Sequence, residues 1–267
     1  MISADHRSAS ALRVFSRRTH ARARLICFPH AGGAAGGYRS WSLDASWDVE
    51  VGAVQYPGRG DRFEEPAAAD MESLLDDLVP ALTRACTGDE LVSAVFFGHS
   101  MGAAVAYEAA RRLAVTGHSP AGLVVSGQPG PSRTRGGGAL HRATDEELLA
   151  DLERLGGTAP DVMNNSGLLE ALLPAIRSDY RLIETYRPLP GGTLSIPVTV
   201  LYAGDDPEVT ADEAAAWREV TSGPCEVEVF TGGHFYLETS RATVLPRVFG
   251  AVRAVLPKSA AAWPSTP

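Results

Sequence analysis

The stretch "AVFFGHSMGAAVAYEAARRL", Ala94 to Leu113, contains the two kinds of element that decide the fold of this chain. Its first residues form an apolar run that predicts a buried strand, and its alanine-rich second half predicts a helix. Between them, the residues from Gly98 to Gly102 match Gly-x-Ser-x-Gly, a turn that exposes a serine hydroxyl between a strand and a helix. Backbone N–H groups at the helix N-terminus favour negative charge there. We therefore predict that Ser100 is a nucleophile; the alternative is a turn with only a structural role.

The chain has 267 residues and a net charge of −8, with 45% apolar and 21% charged residues. This length fits one large α/β domain or two small ones. The acidic charge argues against a nucleic-acid surface, and no apolar run reaches the roughly 18 residues that a membrane helix needs. Cys27, Cys86 and Cys225 form neither a metal spacing nor a disulfide framework, which indicates a reducing cytoplasm. We expect a monomer.

The first 24 residues contain six arginines and one acid, which superficially suggests a transit peptide. They have no apolar segment of the signal-peptide kind, and "LRVFSRR" and "ARLICFPH" favour two early strands instead. We therefore expect no signal peptide. We also expect a single domain over residues 1–267, in which a tail of about residues 258–267 is disordered.

Strands and helices alternate along the chain. Further strands are predicted in "VEVGAVQYPGRG", "AGLVVSGQ", "IPVTVLYAGDD" and "CEVEVFTGGH". A helix follows Thr210 and Glu213, which have capping-box spacing, and a last helix covers about residues 240–256, where Pro246 should kink or shorten it. This order predicts an α/β fold with a mostly parallel sheet that is covered by helices on both faces.

A helical insertion interrupts this alternation between Gly130 and Gly191. Thr144 and Glu147 form a second predicted capping box, and two helical patterns follow it. We predict a lid over about residues 131–190, at the edge of the sheet where ligands bind. Its apolar residues predict a mobile lid over an apolar chamber; the alternative is that they pack on each other and on the sheet. These residues are Leu148, Leu149, Leu152, Leu169, Leu172, Leu173 and Ile176.

A serine nucleophile requires a base, and the base requires an acid that orients it. In this kind of fold the chain order is serine, acid, histidine. Of the histidines after Ser100, His118 lies at a helix exit and His141 precedes the first insertion helix. His234 lies just past the last strand, on a glycine-rich loop at the carboxyl edge of the sheet. We predict that His234 is the base.

The acid should follow the strand "IPVTVLY", where Asp205 and Asp206 compete. Asp206 is preferred because Val209 completes an Asp-x-x-Val pattern, but the choice stays open. For the oxyanion we predict two donors, the N–H of Met101 and the N–H of Ala31 in "PHAGG". His30 precedes Ser100 in the chain and is expected to shape that loop. No metal or nucleotide motif is present, so we predict no cofactor and no metal.

Five segments together resemble the type II (external, editing) thioesterases of polyketide and non-ribosomal peptide synthesis: "CFPHAGG", "YPGRGDRF", "GHSMG", "GDDPEVT" and "GGHFYL". The resemblance covers about residues 25–256. It implies an α/β-hydrolase fold with a helical lid. It also implies a substrate, an acyl group held as a thioester on the phosphopantetheine arm of a carrier protein, and the removal of stalled or misprimed acyl units. Ala203, where a glycine often begins the acid turn, departs from the pattern.

Two other functions fit the same residues. One is an esterase or a chain-releasing acyltransferase or cyclase on the same fold, and the other is an inactive module that binds carriers. Because the chain itself is acidic, a basic patch would have to attract an acidic carrier. We predict that Arg133, Arg135 and Arg142 form this patch; the alternative is a solvated loop.

Overall fold

The computed structural model describes residues 11–87, 93–133, 137–157 and 165–256. Within these ranges, strands β1 to β7 form one sheet in the order β1-β3-β2-β4-β5-β6-β7. Strand β1 pairs antiparallel with β3, and the other neighbouring pairs are parallel. The predicted mostly parallel sheet is therefore confirmed. The strands are β1 Leu12–Val14, β2 Ala23–Phe28, β3 Val49–Val54, β4 Ser93–His99, β5 Gly122–Ser126, β6 Val198–Ala203 and β7 Cys225–Phe230.

Helices connect the strands and cover the sheet. The α-helices are α1 Trp41–Asp44, α2 Met71–Thr87, α3 Met101–Val115, α4 Asp145–Leu155, α5 Ser166–Thr185, α6 Ala211–Ala215, α7 Tyr236–Thr239 and α8 Arg241–Ala254. Short 3₁₀ helices span Ala35–Tyr38, Gly60–Arg62, Pro131–Arg133, Leu140–Arg142 and Ala216–Val220. Helix α8 runs through Pro246 to Ala254, so the proline does not end it. The predicted disordered tail lies outside the described residues, among which no helix is long and apolar enough to cross a membrane.

Strand β4 lies in the middle of the sheet, between β2 and β5. Alternate side chains of a strand point to opposite faces, and here each face has its own core. Phe96 packs with residues of α2 and α3, whereas Val95 and Phe97 pack with residues of α1 and α8. Because both faces are covered, the strand is apolar on both faces from Ala94 to Phe97, and each buried phenylalanine contributes roughly 1.5–3 kcal/mol to stability. The carboxyl end of β4 is thus fixed where Ser100 follows.

Helices α4 and α5 form the insertion between β5 and β6. Both predicted capping boxes are present: Thr144 with Glu147 at α4, and Thr210 with Glu213 at α6. Helix α4 ends at Gly156. Its φ of 80° lies in the left-handed region, which glycine adopts easily and which is common at helix ends. The two helices share a small core of their own, made of Leu148, Leu152, Ile176 and Tyr180.

Candidate active site

Ser100 forms the turn between β4 and α3 in a strained backbone conformation. Its φ of 53° and ψ of −127° make it the one non-glycine residue with positive φ in the described part of the chain. Such a conformation costs of order 1–3 kcal/mol and is found mostly at functional sites. The turn places Ser100 at the N-terminus of α3, where its own N–H donates to the carbonyl oxygen of Ser126 at 2.8 Å.

The two glycines of the turn are required by space. A Cβ on Gly98 would lie 2.1 Å from the carbonyl oxygen of Gly102, and a Cβ on Gly102 would lie 2.0 Å from the carbonyl oxygen of Phe28. Both neighbours are backbone atoms, which cannot move aside as a flexible side chain can. The Gly-x-Ser-x-Gly pattern therefore allows α3 to cross β4 and β2 closely enough to present the serine.

His234 and Asp206 meet at the same edge of the sheet. His234 Nδ1 donates to Asp206 Oδ2 at 2.9 Å and lies 3.0 Å from Oδ1. Both side chains are buried. Asp206 is oriented in turn by the N–H of Glu208, which donates to Oδ1 at 2.8 Å. Since Nδ1 faces the carboxylate, Nε2 is the ring nitrogen of His234 that is left to accept a proton from Ser100.

Asp205, the other candidate acid, is exposed. Its N–H donates to the carbonyl oxygen of Gly232 at 3.3 Å, so its backbone helps to hold the loop that carries His234. The structure thus places Asp206, and not Asp205, beside the imidazole. The catalytic roles of Ser100, Asp206 and His234 stay predictions.

The loop after β2 contains a tight turn from His30 to Gly33. The Gly33 N–H donates to the His30 carbonyl oxygen at 2.9 Å, and Gly32 has a φ of 77°, as the third residue of a type II turn requires. We call His30–Gly33 the oxyanion turn, because it carries Ala31. Within the described ranges, neither the Ala31 N–H nor the Met101 N–H has a hydrogen-bond partner. Both predicted oxyanion donors are therefore free, and that role stays a prediction.

Two further histidines surround His234. The His99 and His234 ring centroids are 5.0 Å apart, and His30 packs on Phe235 at 4.7 Å. The pKa of His30 is lowered to about 4 by burial and by the neighbouring His234, and the pKa of His99 is lowered well below its usual value by burial and by the same neighbour. Both rings are thus neutral at neutral pH. Of the three, His234 is the one that a carboxylate contacts.

His99 belongs to a buried hydrogen-bond chain that sequence reasoning did not find. Its Nδ1 lies 3.0 Å from Ser126 Oγ, which lies 2.7 Å from the Tyr236 hydroxyl. The His30 carbonyl oxygen accepts the Gly33 N–H in the oxyanion turn, and its ring lies where a side chain on residue 33 would have to go, so the prediction that it shapes this loop stands as a prediction. The motif spacing indicated neither contact, because Ser126 and Tyr236 approach only when β5 and the β7 loop come together.

Ser100 and His234 line a cavity of about 300 Å³ that also reaches the insertion. Its apolar walls include Leu140, Leu152, Leu155, Ile183 and Phe235, and its polar walls include Gln128, Asp151, Arg154, Tyr180, Glu184 and Glu208. Of the seven apolar insertion residues predicted to form the chamber, Leu152 alone lines this cavity. Leu148 and Ile176 pack between the two helices instead. The structure therefore favours the alternative in which these residues pack on each other, since the rotation of each helix decides which side chains face the cavity.

The predicted docking arginines that the structure describes, Arg133 and Arg142, contact different partners. Arg133 is exposed and ion-pairs with Glu219 at 3.6 Å, which offsets part of its charge. Arg142 is exposed, and its Nε donates to His141 Nε2 at 3.0 Å. Arg135 lies outside the described residues. A basic patch at these residues stays a prediction.

Comparison with known proteins places this chain in a family. The model of the thioesterase domain family matches residues 23–255. A probable cadicidin biosynthesis thioesterase of Streptomyces griseus is 44% identical over 88% of the chain, which spans 63% of that relative's length. Thioesterase PikA5 of Streptomyces venezuelae is 40% identical over 85% of the chain and 79% of the relative.

A solved structure agrees with these matches. The type II thioesterase BorB from the borrelidin biosynthetic cluster superposes with a TM-score of 0.84 at 43% identity, covering 91% of this chain and 98% of that one. The resemblance predicted from the sequence is confirmed. The chain belongs to the thioesterase family and is a thioester hydrolase with the α/β-hydrolase fold.

Proposed function

We propose that this hydrolase releases acyl groups from the phosphopantetheine arm of carrier proteins, and so frees stalled or misprimed modules of a polyketide or non-ribosomal peptide synthase. The observation that carries the proposal is the buried Asp206–His234 pair at the cavity that Ser100 lines. The names of similar proteins, which refer to cadicidin and borrelidin biosynthesis, support this setting.

The first chemical step is attack by Ser100 on the thioester carbonyl. His234 Nε2 takes the hydroxyl proton, and Asp206 holds the imidazole in the required tautomer and stabilises its cationic form. The sulfur–carbon bond then breaks, and His234 returns the proton to the departing thiol. The carrier leaves with its thiol free, and the acyl group stays on Ser100 as an ester.

Water completes the reaction. A water molecule attacks the ester while His234 accepts a proton from it. His234 then gives this proton to the Ser100 oxygen as the carboxylic acid leaves. In both steps the carbonyl oxygen becomes negative. The Met101 and Ala31 N–H groups would stabilise it, and each such donor contributes about 2.7–4 kcal/mol in a well-studied protease.

The position of the insertion supports the proposal that it acts as a lid within a single α/β-hydrolase domain. Leu152, Leu155 and Ile183 of α4 and α5 line the cavity beside Ser100, so an acyl chain held there would lie under these helices. The walls also carry the Tyr180 hydroxyl, which donates to Asp151 at 2.8 Å. Such walls suit short or polar-substituted acyl groups better than a long plain alkyl chain.

The test is hydrolysis of short, α-branched and long acyl groups on a phosphopantetheinylated carrier protein, with release of the free thiol as the readout. We expect turnover of these thioesters, faster turnover than for matched oxygen esters, and no turnover by Ser100→Ala. An oxygen ester hydrolysed faster than its thioester, or transfer to an alcohol or amine in place of water, would favour the esterase or acyltransferase function instead. Failure of a fluorophosphonate to label Ser100 in the wild-type protein would contradict the proposed site.

The docking patch is tested by charge reversal. Arg133→Glu and Arg142→Glu should raise KM for the acyl-carrier at low salt, with a smaller effect at high salt because ions screen the attraction. The same variants should hydrolyse a small acyl thioester normally. Unchanged KM at low salt would show that the carrier docks elsewhere on the rim.

A further inference from the structure

A buried ion pair joins the insertion to the body of the enzyme. Arg59, in the loop after β3, binds Asp179 of α5 in a bidentate manner, with Nη1 2.5 Å from Oδ2 and Nη2 2.8 Å from Oδ1. Arg59 is 3% exposed and Asp179 is 6% exposed. Sequence reasoning assigned no role to either residue.

The same two side chains hold the oxyanion turn. Asp179 Oδ2 accepts the Gly32 N–H at 2.8 Å, and Arg59 Nη1 donates to the Gly33 carbonyl oxygen at 3.1 Å. Ile176, one helical turn before Asp179, lies 3.3 Å from the position of a Cβ on Gly32. One face of α5 therefore rests directly on the turn that presents Ala31.

The loop that carries Arg59 reinforces this arrangement. Gln55 Oε1 accepts the Ala35 N–H at 3.0 Å, and Gln55 Nε2 donates to the Arg59 carbonyl oxygen at 2.8 Å. The Tyr56 hydroxyl donates to the Pro29 carbonyl oxygen at 3.1 Å. The segment before and after the oxyanion turn is thus fixed, and Asp179 contacts the turn itself.

Turn chemistry explains what Asp179 contributes. Rotation of the middle peptide, between Ala31 and Gly32, interconverts type II and type I turns. In the rotated form the Ala31 carbonyl oxygen would take the place of the Gly32 N–H and face the Asp179 carboxylate, acceptor against acceptor. The carboxylate therefore selects one form of the turn. The Ala31 N–H belongs to the preceding peptide, so Asp179 acts on it by anchoring the turn at the adjacent Gly32, while Arg59 anchors it at Gly33.

Stability gives a weaker reason for the pair. Replacing a buried ion pair by apolar residues of similar volume is often neutral or stabilising. We propose that Asp179 is a positioning residue, which through its hydrogen bond to Gly32 and its ion pair with Arg59 fixes the oxyanion turn to the insertion helix α5. This inference rests on the proposed function, because it assigns Ala31 to the oxyanion.

The experiment compares Asp179→Ala and Asp179→Asn with the double variant Arg59→Met/Asp179→Leu. The double variant removes the acceptor without leaving a buried charge unpaired, so it should fold, with stability in urea reduced only by the lost partners of the Gly32 N–H and the Gly33 carbonyl oxygen. We expect kcat to fall by about 10²–10³ in both Asp179→Ala and the double variant, as when an oxyanion donor is lost, with KM within about twofold of wild type. Asp179→Asn keeps an oxygen for Gly32 and should lose less.

Labelling of Ser100 by a fluorophosphonate provides a second readout that needs no carrier. Its rate should fall in parallel with kcat, since the phosphoryl oxygen also develops charge. The matched control is Asp145→Asn, which removes the ion pair between Asp145 of α4 and Arg177 of α5, the helix that carries Asp179, and should change neither rate. A stable double variant with wild-type kcat and labelling rate would overturn the proposal. Absence of labelling in the wild type would contradict the proposed active site instead.

Discussion

His234 Nδ1 lies 2.9 Å from Asp206 Oδ2 in a buried contact, whereas the adjacent Asp205 is exposed. Two neighbouring aspartates of the same loop thus differ completely in their relation to the imidazole. We predict that Asp206→Asn lowers kcat by about 10⁴-fold, as in a serine protease, because an amide can stabilise the wrong tautomer. Asp205→Asn is the matched control and should retain most activity. Equal, mild losses in steady-state assays of both variants would contradict the assignment.

Replacement of Ser100 separates chemistry from backbone strain. Ser100→Ala and Ser100→Gly should both lose about four to six orders of magnitude in turnover. Ser100→Gly should also be the more stable of the two by about 1 kcal/mol. Glycine adopts the φ of 53° without strain, and this gain exceeds the conformational entropy that glycine loses on folding. Urea unfolding of the two variants measures the difference. A glycine variant less stable than the alanine variant would show that the turn stores no strain.

The two glycines of the turn at Ser100 should tolerate no side chain. Gly102→Ala places a Cβ 2.0 Å from the Phe28 carbonyl oxygen, so we expect a loss of more than about 4 kcal/mol or no soluble protein. Gly250→Ala in α8 is the control. No atom lies within 4 Å of its Cβ position, and alanine should stabilise the helix by about 0.8–1 kcal/mol. Urea unfolding checks both, and a folded Gly102→Ala variant of wild-type stability would contradict the close crossing.

Protein stability should depend on pH through His30 and His99. The pKa of each is lowered in the folded state, to about 4 for His30, because burial and His234 disfavour the imidazolium. The unfolded chain therefore binds more protons between pH 6.5 and about 4, and stability falls as the pH falls through this window. Each group contributes up to about 1.4 kcal/mol per pH unit. The free energy of unfolding, measured with urea from pH 7.5 to pH 4.5, should fall less steeply with pH in His99→Gln than in the wild type. An unchanged pH dependence would contradict burial of this ring.

Helices α4 and α5 should differ in mobility. Helix α5 is held by the buried Arg59–Asp179 pair. Helix α4 contacts the loop that carries Asp206 through an ion pair between Arg154 and Glu208, which are 2.9 Å apart and largely exposed. Because exposed ion pairs contribute about 0–1 kcal/mol, we expect amide hydrogen exchange in α4 to be faster than in α5 and in β4. Exchange in α4 as slow as in β4 would argue against lid opening by this helix.

The sequence predicted the elements of the site because each follows a local pattern or a rule of chain order. The glycines of the turn at Ser100, the apolar strands and both capping boxes are encoded in short segments, and His234 follows from its place after the last strand. Asp179 could not be found this way, because it is one acid in an amphipathic helix and its partners Gly32 and Arg59 are distant in the chain. The sequence left open whether the apolar insertion residues line a chamber or pack together for a related reason. Periodicity shows that a helix has an apolar face, but not whether that face meets a cavity or another helix.

The backbone of Ser100 has a consequence for protein engineering. Glycine suits this conformation better than any other residue, so a sequence optimised for stability alone on this backbone would replace the serine. The same optimisation would keep Gly98 and Gly102, since both are required by close packing. Stability and activity therefore conflict at one position of this turn and agree at two others. Redesign of this enzyme must hold residue 100 fixed as serine while the rest of the turn can be left to stability.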